Sequence, residues 1–156
     1  MFIGMSALFL LALPLVVTCE TRCGASDRLC SVIPGAVYKE PQNTDSEVSY
    51  KQLKTMLSSN SVQLFDVRNP DEFQDGHIPG STNVPLGDLQ DALGLSPDQF
   101  KQRFGVRAPH KEDSSIVVYC QRGHRSATAL DIMWALGFSR ARHYAGGYSG
   151  WVQHEE

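Results

Sequence analysis

The chain has 156 residues, of which 42% are hydrophobic, a composition that suits one globular domain of modest size. Fourteen Lys and Arg residues stand against 17 Asp and Glu residues, so the net charge is −3. This slightly acidic balance argues against a nucleic-acid-binding surface.

The N-terminal residues 2–17 form a nearly continuous apolar run without a charged side chain. The run is short for a membrane span and has no flanking basic cluster, so it suits the core of a signal peptide, cut after Cys19, or a membrane anchor. We therefore assign residues 1–18 to a hydrophobic leader directed to the secretory pathway or the membrane. Mitochondrial targeting is the alternative, although such segments are usually rich in arginine.

The next segment, residues 19–47, contains Pro, Gly and polar residues without periodicity and is predicted to be a disordered linker. Cys19, Cys23 and Cys30 lie here without the clustered histidine of a zinc site. Cys23 could pair with Cys30 in an oxidising compartment, whereas a reduced nucleophile elsewhere in the chain suits a reducing one. Both possibilities stay open.

From Val48 onward, helical and strand patterns follow one another to the C-terminus. Ser49 with Gln52, and Ser96 with Gln99, match the capping box that begins a helix. The predicted helices are residues 49–57, 70–73, 86–93, 97–104 and 126–136, followed by a closing helix after the Gly146-Gly147 turn. The predicted strands are residues 62–65, 82–84, 116–119 and 142–145.

The most informative stretch runs from Ile116 to Ser126. Its first four residues are apolar and predict a strand buried on both faces, as in a parallel sheet covered by helices. The helix that follows is predicted to turn its apolar residues inward, namely Ala127, Leu130, Met133, Trp134 and Leu136. Cys120 therefore lies where a central strand ends and a helix begins, which is where open α/β sheets bind ligands.

The loop after this strand combines a thiol with groups that attract anions. Gly123 can adopt a positive φ, so several backbone N–H groups can point into one hollow, to which the helix N-terminus adds positive potential. Three nearby side chains are cations or donors, those of Arg122, His124 and Arg125. These groups favour the thiolate form of Cys120 and an anion above it. We interpret Cys120 as a nucleophile; the alternative is a small buried core residue.

Three motifs occur in a fixed order along the chain. The loop of residues 120–126 reads Cys, four residues, then Arg125; Asp66-Val67-Arg68, Glu72-Phe73 and residues 76–85 form an earlier motif; and residues 144–151 read Tyr-Ala-Gly-Gly-Tyr-Ser-Gly-Trp. Together they resemble the signatures of single-domain rhodaneses, and in particular the small thiosulfate–glutathione sulfurtransferases. The resemblance extends from about Val48 to Trp151.

The resemblance implies a rhodanese-like α/β domain over residues 48–156, with a central, mostly parallel sheet and helices on both faces. It implies transfer of sulfane sulfur from thiosulfate or a persulfide, through a Cys120 persulfide, to cyanide or to a thiol such as glutathione or a thioredoxin-like protein. No metal or organic cofactor is expected, and we expect a monomer. The expected substrate-binding residues are Gln121, Arg122, Gly123, His124, Arg125, Ser126 and Arg68, and the expected supporting residues are Asp66, Gly147 and Trp151.

Three residues of the earlier motif have two interpretations each. Asp66 could brace Arg125 or the loop backbone, or it could cap the turn that follows its strand. Arg68 could face the substrate as a second cation or pair with Glu72. His77 could act as an acid or base, but we favour a ring that fixes a tight turn through hydrogen bonds.

Two other functions are compatible with the motifs. A rhodanese-like fold can serve as a non-catalytic binding module or a passive persulfide carrier. Cysteine phosphatases and arsenate reductases use related loops, which resemble Cys, five residues, then Arg. In this chain the arginine comes one residue earlier, which predicts a smaller loop that is sized for sulfur.

Overall fold

The computed structural model describes residues 46–156. The predicted leader, nearly all of the predicted linker, and Cys19, Cys23 and Cys30 lie outside the described residues. In the part of the chain that is described, no helix is long and apolar enough to cross a membrane.

The central feature is one sheet of four strands, and every neighbouring pair of strands is parallel. The strands are β1 Gln63–Asp66, β2 Ser81–Asn83, β3 Ile116–Tyr119 and β4 Arg142–Tyr144, and their order in the sheet is β2-β1-β3-β4. The helices are α1 Tyr50–Ser58, α2 Pro70–Asp75, α3 Leu89–Leu93, α4 Pro97–Phe104, α5 His124–Ala135 and α6 Gly147–Glu155. Because parallel strands require crossover connections, helices lie between them in sequence. The expected α/β architecture is confirmed.

The two faces of the sheet are covered by different helices. Along β3 and just beyond it, Ile116, Val118 and Cys120 face a core that contains residues of α3, α4 and α5. Val117 and Tyr119 face a second core, which contains Leu53 of α1 and Trp151 of α6. This alternation has the period of two expected for a strand, and it points the Cys120 side chain towards α5.

Local capping chemistry begins two of the helices where the sequence predicts. At the N-terminus of α1, Ser49 and Gln52 form the reciprocal capping box, and at α4 Ser96 and Gln99 do the same. Each box provides acceptors for two backbone N–H groups that a helix end would leave unpaired. Gly105 ends α4 in the left-handed conformation, as expected for a C-terminal glycine.

The boundaries and the buried face of α5 differ from the prediction. The helix begins at His124, two residues before the predicted Ser126, because the left-handed Gly123 already completes the turn out of β3. Its buried residues are Ser126, Ala129, Leu130 and Met133. Ala127 and Trp134, predicted to face inward, are exposed, because each follows a buried residue, Ser126 or Met133, by one position and so lies about 100° around the helix from it.

Other elements also have shifted boundaries, of which α3 and β2 are two examples. The predicted helix over residues 86–93 is shortened to α3, because Leu86 N donates to Val67 O and Asp88 N donates to Pro85 O, which makes residues 86–88 a turn. The strand β2 begins one residue earlier than predicted, at Ser81. Glu47 pairs with His143 of β4 as an isolated parallel bridge, so sheet pairing in the described residues starts next to the predicted domain boundary at Val48.

Phe100→Ala should lower the free energy of unfolding by about 3–5 kcal/mol, because a well-packed ring leaves a cavity when it is removed. The Phe100 residue is 1% exposed and its ring meets that of Phe65 edge-on at a centroid distance of 6.2 Å. The matched control is Phe104→Ala on the same helix, since Phe104 is only half-buried and should cost clearly less. Urea denaturation at equilibrium measures both; equal losses would contradict the assignment of Phe100 to the core.

Candidate active site

The expected site residues lie at the edge of the sheet where the strands end. Asp66 is the last residue of β1, Cys120 directly follows β3, and Gly147 comes shortly after β4. Because all four strands are parallel, their carboxyl ends meet at this one edge. Ligands of open α/β sheets bind in the crevice at such an edge.

The Cys120 sulfur is held by polar groups although the residue is only 1% exposed. The backbone N–H of Gly123 donates to Sγ at 3.1 Å. The hydroxyl of Ser126, on the first turn of α5, lies 3.7 Å from Sγ. An amide aimed at sulfur stabilises a thiolate more than a thiol, because the positive end of its dipole faces the charge.

Two glycines allow the backbone around Cys120 to pack this closely. Gly123 has a φ of 89°, and a Cβ at this position would lie 2.5 Å from the carbonyl oxygen of Ala145. Gly147 has a φ of 60°, and a Cβ there would lie 2.5 Å from the carbonyl oxygen of Cys120. Any other residue would meet both conformational strain and a backbone clash, so the turn requires glycine twice.

The N-terminus of α5 adds further donors beside the sulfur. The first helical bond that closes on the loop is from Ala127 N to Gly123 O, so the amides of His124, Arg125 and Ser126 come before the regular helical ladder. The unpaired amides and the helix dipole make such an end attractive to anions. The arrangement can therefore accept a small negatively charged molecule next to a nucleophilic sulfur.

The cations of the loop differ in their partners. Arg125 forms a two-pronged ion pair with Glu72 of α2, with Nη1 and Nη2 at 2.6 and 2.7 Å from the carboxylate oxygens. The Arg125 hydrogen bonds lower the pKa of Glu72 to about 2. Arg122 and His124 are exposed and form no ion pair with any residue from 46 to 156. These two side chains are free to meet an anion from solution.

Asp66 and Arg68 form a buried ion pair with each other, which is a different pairing from those predicted. Arg68 Nε and Nη2 donate to the Asp66 carboxylate at 2.7–3.0 Å, and the Asp66 side chain also accepts from Arg68 N and so caps the turn. Of the alternatives considered for Asp66, capping of the turn matches the structure and a contact with Arg125 does not. Pairing of Arg68 with Glu72 is not observed either, because Glu72 binds Arg125. Burial opposes the charge of Arg68, but the hydrogen bonds and charge of Asp66 outweigh it and raise the pKa of Arg68.

Gln121 connects this ion pair to the last helix. Its side-chain oxygen accepts from Arg68 Nη1 at 3.0 Å, and its Nε2 donates to the Ser149 hydroxyl at 2.9 Å. The backbone carbonyls of Cys120 and Gln121 accept from Tyr148 N and Ser149 N. The loop is thus fixed to the N-terminus of α6. Trp151, further along α6, is 8% exposed and packs in the core.

The contacts of His77 match the interpretation that we favoured, in which its ring fixes a turn through a hydrogen bond. Its Nδ1 lies 3.0 Å from the Phe73 carbonyl oxygen, and its ring stacks on that of Phe73 at 3.9 Å. These contacts join the end of α2 to the following turn, so the ring has a positioning task of its own.

Comparison with known proteins agrees with this geometry. A model of the rhodanese-like domain matches residues 49–154. The chain belongs to the rhodanese-like family. A mouse protein, thiosulfate sulfurtransferase/rhodanese-like domain-containing protein 3, is 42% identical over 114 residues, which are 72% of this chain and 72% of that protein. The human thiosulfate:glutathione sulfurtransferase is 38% identical over 108 residues, or 69% of this chain and 94% of that protein.

A solved structure gives the same result for this rhodanese-like domain. The human single-domain sulfurtransferase TSTD1 superimposes with a TM-score of 0.69 at 37% identity, covering 71% of this chain and 98% of that one. The resemblance inferred from the three motifs is confirmed, and so is the fold that it implied.

Several residues of the rhodanese-like site were not predicted from the sequence. They are Glu72 as the partner of Arg125, Tyr148 and Ser149 as supports of the loop, and the buried His143 of β4. The signal for His143 is its position in a buried strand, where a ring nitrogen needs a partner. The contacts of Glu72, Tyr148 and Ser149 join segments that are distant in sequence.

The pH dependence of stability should report the Arg125–Glu72 pair. Because the pKa of Glu72 falls from 4.5 to about 2 in the folded state, the pair stabilises the fold above about pH 4.5, and this contribution is lost as the pH falls towards 2. Glu72→Gln should lower the free energy of unfolding at pH 7 by about 1 kcal/mol or less, since both side chains are partly exposed. The deficit should shrink steadily below pH 4.5.

Denaturant unfolding at a series of pH values measures this difference. Asp88→Asn is the matched control, because Asp88 forms an ion pair with Arg103 in which both side chains are about half exposed, at 53% and 49%. The control should show a smaller deficit at every pH. A Glu72→Gln deficit that stays constant down to pH 2 would contradict the assigned pair.

Gly123 and Gly105, which are two of the left-handed glycines, form a natural comparison. Gly123→Ala should abolish function, since its Cβ meets the Ala145 carbonyl and displaces the amide that binds the sulfur. Gly105→Ala carries the same conformational strain at a φ of 74° but has nothing within 4 Å of the new Cβ. It should lower stability by about 1 kcal/mol and leave turnover unchanged. Thermal unfolding and sulfur-transfer rates measured on both variants would separate strain from clash.

Proposed function

We propose that the chain is a thiosulfate sulfurtransferase that passes sulfane sulfur to a thiol through a persulfide on Cys120. The single observation that carries the proposal is the Gly123 amide donating to the Cys120 sulfur at the mouth of a short loop. The loop lies in a chain whose family is rhodanese-like and whose relatives include sulfurtransferases. Thiosulfate as donor and glutathione as acceptor follow from the name of the human relative.

The first half-reaction forms the persulfide. The Cys120 thiolate attacks the outer sulfur of thiosulfate, a new S–S bond forms, and the bond between the two thiosulfate sulfurs breaks so that sulfite leaves with its electron pair. The donor is a dianion, which suits the exposed guanidinium of Arg122, the exposed imidazole of His124 as a hydrogen-bond donor, and the amides at the start of α5. Arg125 contributes its charge while it is positioned by Glu72.

The second half-reaction returns the enzyme to its starting state. An acceptor thiolate attacks the outer sulfur of the persulfide, and the Cys120 thiolate leaves. Backbone amides that bind the thiolate lower the energy of this leaving group as well, so the same donors assist both steps. The two half-reactions together require no net oxidation or reduction of the protein.

The short loop favours sulfur chemistry over phosphate chemistry. A single turn from Cys120 to the left-handed Gly123 reaches the helix, and Gly123 N already donates to the sulfur. A binding module would have no need for a nucleophile held by an amide, and a passive carrier would have no need for donors that also stabilise the leaving thiolate in the second half-reaction. We therefore place the enzyme first among the three functions compatible with the motifs.

Sulfur transfer from thiosulfate to cyanide and to glutathione should occur with the wild-type chain and be abolished by Cys120→Ser. Incubation with thiosulfate alone should add one sulfur atom to the tryptic peptide of residues 112–122, detected by intact-peptide mass spectrometry without reduction. A persulfide without turnover would indicate a carrier. Hydrolysis of an aryl phosphate without sulfur transfer would indicate a phosphatase and overturn the proposal.

A further inference from the structure

His143 is a buried titratable residue that neither half-reaction uses. It lies on β4, beside the central strand β3, and is 8% exposed. Its Nδ1 is 3.2 Å from the hydroxyl oxygen of Ser126, on the first turn of α5. The imidazole is therefore buried and contacts Ser126, which in turn contacts the Cys120 sulfur. Titratable groups in such positions are often functional.

The contacts of His143 form a continuous polar chain that begins at the nucleophile. Cys120 Sγ lies 3.7 Å from Ser126 Oγ, which lies 3.2 Å from His143 Nδ1. On the other side of the ring, Nε2 lies 3.9 Å from Glu47 Oε1. Glu47 is held in place because it pairs with His143 in the sheet and Val48 N donates to the His143 carbonyl at 2.9 Å.

The three groups from Cys120 to His143 have two alternative hydrogen-bond patterns, and Glu47 faces the ring at 3.9 Å as a nearby carboxylate. In the first, the Cys120 thiol donates to Ser126 Oγ, the Ser126 hydroxyl donates to Nδ1 of neutral His143, and Nε2–H faces Glu47. In the second, the imidazolium donates from Nδ1 to Ser126 Oγ, and the hydroxyl donates to the Cys120 thiolate. The patterns differ only by two proton shifts, one from sulfur to oxygen and one from oxygen to nitrogen.

We propose that Ser126 and His143 form a proton relay that takes up the thiol proton when Cys120 ionises. The S–H bond breaks and an O–H bond forms on Ser126, while the original Ser126 O–H bond breaks and an N–H bond forms at His143 Nδ1. The electron pair stays on sulfur, and nothing is oxidised or reduced. The proposal rests on the proposed function in one respect, since it takes Cys120 as the nucleophile; His143 is a positioning residue that acts through Ser126.

The surroundings of the imidazole suit this task. Charged or titratable groups face it from three elements: Glu47 precedes α1, Asp131 lies on α5, and Cys120 follows β3 and acts through Ser126. Burial lowers the pKa of His143, while the carboxylates of Glu47 and Asp131 oppose the shift. The ring is therefore neutral at pH 7 and its Nδ1 can accept a proton, and a thiolate nearby then favours the imidazolium.

One other acceptor competes for the Ser126 hydroxyl. The carbonyl oxygen of Gly123 lies 3.0 Å from Ser126 Oγ. The Ser126 hydroxyl has one proton, so it can donate to only one of three acceptors: Gly123 O, the Cys120 sulfur or the His143 imidazole. The protonation state of His143 determines which acceptor is used. A protonated Nδ1 cannot accept a hydrogen bond, so the Ser126 hydroxyl then donates to Gly123 O or to the sulfur. The relay thus couples the orientation of Ser126 to the charge on Cys120.

The test measures ionisation of Cys120 without requiring turnover. The rate of alkylation by iodoacetamide is followed from pH 5 to 10 on the full chain, and the modified tryptic peptide of residues 112–122 is quantified by mass spectrometry, so that the other cysteines do not contribute. The pH midpoint reports ionisation, and the plateau at high pH reports access of the reagent.

The decisive variant is His143→Asn, which can still exchange a hydrogen bond with Ser126 but cannot take up a proton. The alkylation rate at pH 7 should fall by about tenfold with an unchanged plateau, which corresponds to a midpoint raised by about one pH unit. Ser126→Ala should give the same fall, and the double variant should fall no further, because each single change already interrupts the relay. His110→Asn, at an exposed loop position, is the control and should match the wild type.

Three results would overturn the relay: a His143→Asn profile that superimposes on the wild type, a double variant whose loss is the product of the two single losses, or a changed plateau with an unchanged midpoint. Thermal unfolding verifies that each variant is folded. Should His143→Asn fail to fold, an unchanged Ser126→Ala midpoint overturns the relay and a raised one supports it. If the wild type shows the alkylation behaviour but no sulfur transfer, the proposed function fails while the relay stands.

Discussion

The hydrogen bond from the Gly123 amide to the Cys120 sulfur is the constraint on which the active-site edge depends. For an amide three residues further along the chain to reach that sulfur, the strand must stop at Tyr119 and the chain must reverse at once. The left-handed Gly123 makes this reversal, and the helix α5 starts on the next residue. The same geometry that holds the sulfur therefore also aims the N-terminus of the helix at it. A charged sulfur in a buried position is tolerable only with such donors nearby.

Two ion pairs with different environments support this edge from the side of β1 and α2. The Asp66–Arg68 pair is almost fully buried, and its guanidinium is also bound by Gln121 and by the carbonyl of Gly76. Loss of one partner of such a pair is costly, because the other charge is left without compensation in a low-dielectric interior. The Arg125–Glu72 pair is about one-third exposed and is accordingly weaker. The buried pair sets the position of the loop, and the exposed pair adjusts the charge at its rim.

This division of tasks changes the interpretation of the cations near Cys120. Arg68 was expected to bind the substrate together with the basic residues of the loop, with a pairing to Glu72 as the alternative. The hydrogen-bonding capacity of Arg68 is directed to Asp66, Gln121 and Gly76. Arg122 and His124 form no ion pair within the described residues. In the proposed reaction these two side chains and the amides of α5 are therefore the main groups available to bind the dianionic donor. A site can thus carry many positive charges while few of them face the ligand.

What the sequence could predict follows from the range of the interactions involved. The capping boxes of α1 and α4 and the apolar strand β3 involve residues within four positions of each other, and they were predicted at or next to their positions in the structure. The partner of Arg125 is 53 positions away, so the pair depends on which strand ends become neighbours in the sheet. The inward placement of Trp134 was wrong for a different reason. Trp134 is one helical turn from the buried Leu130, but it also follows the buried Met133 by one residue and so lies at the flank of the buried stripe.

The polar chain from Cys120 to His143 is the strongest case of information that the sequence does not display. Ser126 and His143 are buried on the face of the sheet that packs against α5, and most of their neighbours there are apolar. In such surroundings a polar side chain destabilises the fold unless it forms a hydrogen bond. Here Ser126 has Cys120 and His143 as neighbours within hydrogen-bond distance, and His143 has Ser126. An apolar pair of similar volume would pack in the same space without this requirement. The proposed relay therefore gives this polar pair a function beyond the stability that its hydrogen bonds add.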